Sequence, residues 1–261
     1  MRLELTAPTT FYVDSSSGND ATGDGSMALP WASLAKAAQW TRDNVDLRGN
    51  QLKIKLAAGD YASAWIAGPW VGFADPDSVL IEGDLAAPYS CRINAASGGN
   101  ALDAAYGARF TLAGVKVTSA YGAGIYSHEG SWVAYHHVEF GACPNGPHLA
   151  ASKGGSTFDL GDIRISGWAT AHLYASDTGE AFSTTGNTDL VGIPYFSAAF
   201  AWANFGGNVT SHTKTFNGAA AGKRFWASNR GIIGCASRNT FPGSEPGGMD
   251  ATGFFLSGDG S

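Results

Sequence analysis

Large apolar residues recur along this chain at nearly regular intervals, each followed by small residues and a glycine. The octet HLAASKGG at 148–155 returns as HLYASDTG at 172–179. A period of about 20 to 50 residues is typical of a stacked solenoid. Each large apolar residue marks the anchor of one repeat, and successive anchors are 23 to 27 residues apart: Leu102, Ile125, Leu149, Leu173, Phe200 and Phe225.

Between the anchors, apolar and polar residues alternate in short runs such as ARFTLAGVKV at 108–117 and GSTFDLGDIRI at 155–165. Alternation with a period of two, bounded by glycine-rich turns, predicts short strands. Each repeat therefore carries at least two strands, and every strand pairs with its equivalent one repeat later. The pattern predicts an all-β fold, a parallel β-helix with coils of about 24 residues. A Greek-key sandwich is the alternative.

The first 50 residues differ from the repeats. FYVD at 11–14 predicts a strand, and SLAKAAQWTRDN at 33–44 predicts a helix with Ser33 as its N-cap. Leu34, Ala37, Ala38 and Thr41 lie on one face of that helix. Because a solenoid exposes its core at its ends, we expect this α-helix to cap the N-terminal end. The predicted organisation is a cap at 1–50 and a β-helix at 51–261, joined as one continuous domain.

Composition excludes several classes of partner. The net charge is −6 and no basic stripe is present, which argues against nucleic acid. No apolar run approaches the roughly 20 residues that span a bilayer, so we expect no membrane insertion, and the start MRLELTAPTT lacks the apolar segment of an export signal. Three cysteines without metal-ligand spacing predict no disulfide framework. No motif predicts a cofactor.

The repeat also predicts which side chains face outward. The second residue after each anchor should face inward with it, and Trp202 breaks that column of small residues after the irregular 27-residue step, which indicates a local shift of register or a wider core. Residues on either side of the anchor should face solvent. On a rigid surface these could bind carbohydrate, or they could pack against another chain. The candidate carbohydrate-binding residues are Tyr126, His148, His172, Tyr174, Arg224 and Trp226.

Three charged residues follow their anchors at the same distance. Glu129, Lys153 and Asp177 would stack on successive coils, with the two carboxylates about 9 to 10 Å apart. That spacing would suit a glycosidase, but the lysine between them makes a charge ladder the simpler interpretation. No GxSxG motif is present. We assign no catalytic residue and favour a protein without enzymatic activity. If the protein is an enzyme, Glu129, Lys153 and Asp177 are the residues to test first.

Two groups of residues could suggest a metal. Asp14, Asn19, Asp20 and Asp24 offer oxygen ligands suited to calcium, but Asx-turns explain the same letters. His136 and His137 are adjacent and should face opposite sides of a strand, so they should not share a metal. We predict no metal site.

The N-terminal third carries a resemblance. FYVDSSSGNDATGDGSMALPWASLAKAAQ at 11–39, KIKLAAGDYASAWI at 53–66 and SVLIEGD at 78–84 resemble, as an ordered set, the opening of pectate-lyase-like right-handed parallel β-helices of bacteriophage tail spikes and tail fibres. Later segments, among them FNGAAAGKRFWASNRGII at 216–233, are similar to a subset found on phage fibres and gene-transfer-agent spikes. The likeness covers most of the chain.

The resemblance implies a right-handed β-helix that forms a homotrimer. It also implies a protein made in the bacterial cytoplasm and carried on the surface of a virion or phage-like particle with other virion structural proteins. The expected function is adsorption to a host cell-surface polysaccharide. The alternative is a depolymerase, a lyase or a glycoside hydrolase, that cuts such a polymer. No catalytic residue is carried over.

Overall fold

The chain folds into a parallel β-solenoid of the right-handed type with about eight coils, which confirms the predicted all-β class. The structure is a computed structural model, and it describes residues 2–183, 185–238 and 240–257. Its one α-helix in those ranges is α1 (Leu34–Asn44), and two short 3₁₀ turns span Pro76–Ser78 and Pro88–Ser90.

The strands are short throughout. The N-terminal portion and first coils contain β1 (Leu3–Glu4), β2 (Thr9–Val13), β3 (Val45–Asp46), β4 (Leu52–Leu56), β5 (Gly59–Ala62), β6 (Ala64–Ala67), β7 (Val79–Glu82) and β8 (Cys91–Ala95). The central coils contain β9 (Leu102–Ala105), β10 (Arg109–Ala113), β11 (Lys116–Ser119), β12 (Ile125–Ser127), β13 (Trp132–His136), β14 (Glu139–Phe140), β15 (Leu149–Ala151), β16 (Ser156–Asp159) and β17 (Ile163–Ile165). The remaining strands are β18 (Leu173–Ala175), β19 (Glu180–Ser183), β20 (Asn187–Leu190), β21 (Tyr195–Phe196), β22 (Ala201–Ala203), β23 (Asn208–Ser211), β24 (Thr215–Asn217), β25 (Ala221–Gly222), β26 (Phe225–Ala227), β27 (Ile232–Cys235), β28 (Gly248–Met249) and β29 (Phe254–Ser257).

Three long parallel sheets form the faces of the solenoid. Sheet I has the order β2-β4-β7-β10-β13-β16-β19-β23-β27-β29, sheet II has β24-β20-β17-β14-β11-β8-β5, and sheet III has β28-β26-β22-β18-β15-β12-β9-β6. From β9 to β26 the chain visits sheet III, then sheet I, then sheet II, and returns to sheet III one coil later, while β21 and β25 pair with each other in a separate small sheet. Each strand therefore buries its inner side chains against the same columns as its neighbours.

The predicted anchors lie in the core. Leu102, Ile125, Leu149, Leu173 and Phe225 are fully buried, as are the small residues two positions after them. Consecutive anchors pair directly, as in Leu149 with Leu173. The inward assignment made from the repeat is therefore confirmed for these coils.

One anchor was assigned wrongly. Leu173 pairs with Ala201 and not with Phe200, so the step between these coils is 28 residues long. Ala201 and Ala203 face inward and are buried, while Trp202 lies in register with Tyr174 on the outer face. The shift of register that Trp202 indicated is thus present, because the longer coil adds one more residue before its strand.

The N-terminal helix lies where the sequence predicted it. The hydroxyl oxygen of Ser33 accepts a hydrogen bond from the backbone N–H of Lys36 (3.2 Å), and the Ser33 hydroxyl donates to a carboxylate oxygen of Asp20 (2.6 Å). The apolar face predicted for α1 is buried, and the helix packs against β2, β3, β4 and β6. The preceding loop is shaped by Asx-turns: Asp14 and Asn19 accept hydrogen bonds from backbone N–H groups two and three residues on.

Candidate functional site

The outer face of sheet III carries an aromatic column. Strand pairing places one outward residue from each strand in line. Together these residues form the outer column: Trp65, Asp103, Tyr126, Ala150, Tyr174, Trp202, Trp226 and Gly248. Three of them were predicted from the repeat. Trp202 could have been found as well, because Ala201-Trp202-Ala203 follows the pattern of Leu173-Tyr174-Ala175 once the register shift is recognised.

In the C-terminal half of the outer column, Tyr174 packs against Trp202, and Lys223 lies over Trp226. The ring centres of Tyr174 and Trp202 are 4.8 Å apart, and the ammonium of Lys223 lies 4.7 Å from the ring centre of Trp226. A Cβ atom at Gly248 would lie 2.8 Å from the Trp226 ring, so the glycine leaves room for that indole. Tyr174, Trp202 and Trp226 are half-buried, which leaves part of each ring accessible on a rigid strip.

The N-terminal half of the outer column is joined to a polar network that the sequence did not reveal. A ring nitrogen of His128 lies 2.8 Å from a carboxylate oxygen of Asp103, and the His128 ring stacks on Tyr126 with 4.5 Å between centres. The Tyr126 and Ser152 hydroxyl oxygens lie 2.6 Å apart in a hydrogen bond. These contacts fix the ring of Tyr126. Asp103 could have been suspected, because it follows its anchor as Tyr126 does.

The three charged residues kept as a possible catalytic set occupy one turn position on successive coils. Glu129, Lys153 and Asp177 all have left-handed backbone conformations, with φ of 53°, 49° and 46°. The Lys153 ammonium lies 4.0 Å from one carboxylate oxygen of Glu129. The other carboxylate oxygen of Glu129 lies 3.7 Å from a ring nitrogen of His128. Within the part of the chain that the structure describes, Asp177 forms no ion pair. Lys153 and Glu129 therefore make one long contact, and among the described residues the predicted charge ladder does not continue to Asp177.

His148 and His172 do not face solvent, and their predicted orientation was wrong. Both are fully buried, with ring nitrogens 3.3 Å apart and with Phe140 against both rings. They precede β15 and β18 at the bend between sheets II and III, where strict alternation does not yet apply because the strand has not begun. Burial lowers the pKa of His148 to about 3 and that of His172 well below its ordinary value. Neither can contact a surface ligand.

Arg224 is half-buried and lies at the same bend one coil beyond Phe200. It lines a cleft of about 280 Å³ with Phe216 and Phe241. The structure therefore separates this residue from the outer column with which it was grouped. Of the six candidate carbohydrate-binding residues, Tyr126, Tyr174 and Trp226 share one continuous face.

The adjacent histidines also differ from expectation. His137 has a left-handed backbone (φ 51°) because the strand ends at His136, and the two Nδ1 atoms lie 2.9 Å apart. The assumption that they face opposite sides was wrong. Within residues 2–183, 185–238 and 240–257, no group of three or more His, Cys, Asp or Glu side chains could hold a metal ion.

On the outer face of sheet II, charged side chains pair with side chains of opposite charge on neighbouring strands. One column runs Asp60, Arg92, Lys116, Glu139, Arg164 and Asp189. Arg92 contacts both oxygens of Asp60 at 2.5 and 2.6 Å, and Lys116 lies 2.7 Å from Glu139. Burial raises the pKa of Glu139, but hydrogen bonds from Lys116 and Ser166 outweigh it and lower the pKa overall. Each of these pairs satisfies its own charges, so this face is a weaker candidate for binding than sheet III.

Comparisons with models of protein families, with curated proteins and with solved structures found no match. Among the described residues, no helix has the length and apolar character needed to cross a membrane.

Proposed function

We propose that this protein is a virion-associated spike or fibre protein that recognises a host cell-surface polysaccharide for adsorption. The observation that supports this proposal most directly is the outer column of sheet III. Three of its rings, Tyr174, Trp202 and Trp226, lie on consecutive strands, which are about 4.8 Å apart in a parallel sheet. A linear polymer lying along the solenoid axis would meet a ring on each of these three coils.

The chemistry of the outer column suits sugars. A pyranose has apolar C–H faces and a polar edge, and a Tyr or Trp offers a flat apolar face beside a hydrogen-bonding group. Polar neighbours line the same face: Asp103, His128 and Ser152 lie beside Tyr126. Because the rings stand on strands, and Tyr174 and Trp202 also pack on each other, little conformational entropy is lost when a ligand binds.

The particle and the assembly are proposed on the sequence resemblance. We propose a homotrimer that is made in the bacterial cytoplasm and is joined to other virion structural proteins on the particle surface. The same aromatic strip could instead be buried between subunits, since Tyr and Trp are also enriched in protein interfaces. The test therefore has to read assembly and binding separately.

Binding without cleavage is favoured over a depolymerase. A general acid or base needs a proton site that can reach the substrate. One ring nitrogen of His128 contacts Asp103, and the other is 3.7 Å from Glu129, so both face protein carboxylates. Lys153 lies on the remaining side of Glu129. Release of new reducing ends or unsaturated sugars from a bound polymer would contradict this preference.

The test replaces both Tyr174 and Trp226 with Ser. We expect the variant to keep its oligomeric state in analytical ultracentrifugation and to bind at least about tenfold more weakly to an immobilised panel of bacterial capsular polysaccharides and lipopolysaccharides, because central aromatic residues carry much of the energy of such contacts. The matched control replaces Tyr89 and Tyr121, two exposed tyrosines outside the outer column, with Ser. Loss of the oligomer would make the column a subunit interface, and unchanged binding would refute the proposal.

A further inference from the structure

A groove on sheet I has the features of a preformed ligand site. It lies on a different face of the solenoid from the outer column. Its cavity is about 350 Å³. Arg109, Trp132 and Ser156 form its floor, because they pair directly on three successive strands, β10, β13 and β16. The segment 73–76 forms its wall. The groove is therefore concave, whereas the outer column is a strip along a sheet.

The wall of the groove is fixed to the solenoid. The Thr111 hydroxyl, which lies on the same strand as Arg109, donates a hydrogen bond to the carbonyl oxygen of Pro76 (2.8 Å), and the Gln51 amide donates to the carbonyl of Asp77 (3.0 Å). Asp75 and Ser78 cap the short 3₁₀ turn that follows. Since these contacts tie the segment to the solenoid at two points, the groove is formed before any ligand arrives.

Aromatic rings extend the floor along the solenoid axis. The ring centres of Trp132 and Phe158 are 5.1 Å apart, and those of Phe158 and Phe182 are 4.6 Å apart in a stacked arrangement. Ala134 occupies the outward position between Thr111 and Phe158 and is nevertheless fully buried. The small side chain of Ala134 leaves room for larger neighbours to cover it. The result is an apolar platform that spans three coils.

Two polar groups in the groove have no partner among the residues that the structure describes. Within the described ranges 2–183, 185–238 and 240–257, the guanidinium of exposed Arg109 forms no hydrogen bond and no ion pair. The hydroxyl of Ser131, which also lines the groove, is buried and has no hydrogen-bond partner among the described residues, which is unfavourable for a polar group. The sheet II column provides a contrast, because Arg92 there is paired with Asp60 through both of its carboxylate oxygens.

We propose that this groove binds a pyranose that carries a carboxylate, such as a uronic acid unit. The indole of Trp132 stacks on the sugar ring, and the fork of Arg109 binds the carboxylate through two parallel hydrogen bonds. One oxygen of the Asp75 carboxylate accepts from the backbone of Asp77 (3.0 Å), and the carboxylate accepts from the sugar hydroxyls at the wall. The proposal does not depend on binding by the outer column.

The experiment uses a matched pair of ligands, methyl β-D-glucuronide and methyl β-D-glucoside, which differ only at the C6 carboxylate. The protein is labelled with 5-fluorotryptophan, and its eight tryptophans are followed by fluorine NMR while each sugar is added. The Trp132→Phe variant assigns the Trp132 signal. We expect the glucuronide to shift that signal at concentrations at least about tenfold lower than the glucoside, because only the glucuronide can pair with Arg109.

Two variants separate this site from the outer column. Arg109→Gln removes the charge at an exposed position, so the fold should be retained and the preference for the glucuronide should disappear. The Tyr174→Ser and Trp226→Ser double variant should leave the response of Trp132 unchanged. Equal affinity for the two sugars, no shift of the Trp132 signal, or an unchanged preference in Arg109→Gln would each overturn the proposal, whatever the outer column binds.

Discussion

A buried ion pair shows how burial decides what a single residue contributes. The ammonium of Lys214 lies 2.6 Å from a carboxylate oxygen of Asp159, and both side chains are fully buried. Lys214 also donates to the carbonyl oxygens of Gly161 and Thr185, at 2.7 Å each. Burial raises the pKa of Asp159 to about 6, and the lysine opposes that rise. The pair is therefore costly to form and more costly to break.

Replacing Lys214 with Met should lower the free energy of unfolding by about 3 to 5 kcal/mol, because the carboxylate of Asp159 would remain buried without its partner. The matched control is Lys153→Met. That lysine is 61% exposed and 4.0 Å from Glu129, so we expect a loss of about 1 kcal/mol or less. Urea unfolding of both variants measures the difference. Equal losses would show that the two charges experience the same environment and would contradict this account of Lys214.

At the scale of elements, the turn from sheet III to sheet I depends on a close approach between coils. Glycine occupies one position of this turn in several coils: Gly155, Gly179, Gly207, Gly231 and Gly253. A Cβ atom at Gly179 would lie 2.3 Å from the backbone of Ala151 in the preceding coil. Ala108 and Ser131 occupy the equivalent position in earlier coils, so a coil can adapt to a side chain at some cost.

Gly179→Ala should therefore lower the free energy of unfolding by about 1 to 3 kcal/mol, since the backbone of the neighbouring coil has to shift. Gly161→Ala is the matched control, because its new Cβ would meet only the Cβ of His136, at 3.4 Å, and its φ is not positive. We expect little change there. Thermal unfolding of the two variants would contradict the prediction if both lost the same stability.

The sequence predicted elements well where a local pattern determines the structure. Leu149 and Leu173 were placed in the core because a strand alternates with a period of two, and α1 was found from its cap and its apolar face. The pattern failed at the bends. His148 lies just before its strand, and its orientation depends on how the chain turns a corner.

Long-range contacts were not predictable from the chain alone. The sequence contains Trp132 and Arg109, but nothing local indicates that the segment 73–76 folds over the neighbouring strand to make a groove. The same is true of His128, whose partner Asp103 lies 25 residues away in the preceding coil. Such pairs become visible only when the register between coils is known, and the 28-residue step before Ala201 shows how one longer coil changes that register.

At the scale of the whole molecule, the core of the solenoid contains groups whose protonation changes on unfolding. His148 and His172 are neutral in the fold, because burial lowers the pKa of His148 to about 3 and that of His172 well below its ordinary value, with His148 and Lys214 adding to the effect on His172. An unfolded histidine has a pKa of about 6.5. Below that pH the unfolded chain binds protons that the fold does not, so the free energy of unfolding decreases as the pH falls.

Asp159 acts in the opposite direction. Its pKa in the fold is about 6 and that of an unfolded aspartate is about 3.9, so between these values the folded chain binds the extra proton. On its own this group makes the protein more stable as the pH falls from about 6 to 4. The histidine contribution is therefore measured as a difference between two proteins that share Asp159.

The double variant His148→Leu and His172→Leu should be less sensitive to acid than the parent. Each neutral buried histidine costs about 2 kcal/mol between pH 7 and pH 5, since the slope approaches about 1.4 kcal/mol per pH unit below 6.5. Urea unfolding at both pH values should therefore give a decrease about 4 kcal/mol larger for the parent than for the variant. His212→Gln is the control, because His212 is exposed, and it should follow the parent. If the double variant also followed the parent, the two histidines would have to be charged or hydrated inside the solenoid, and the aromatic packing of Phe140 against both rings would be wrong.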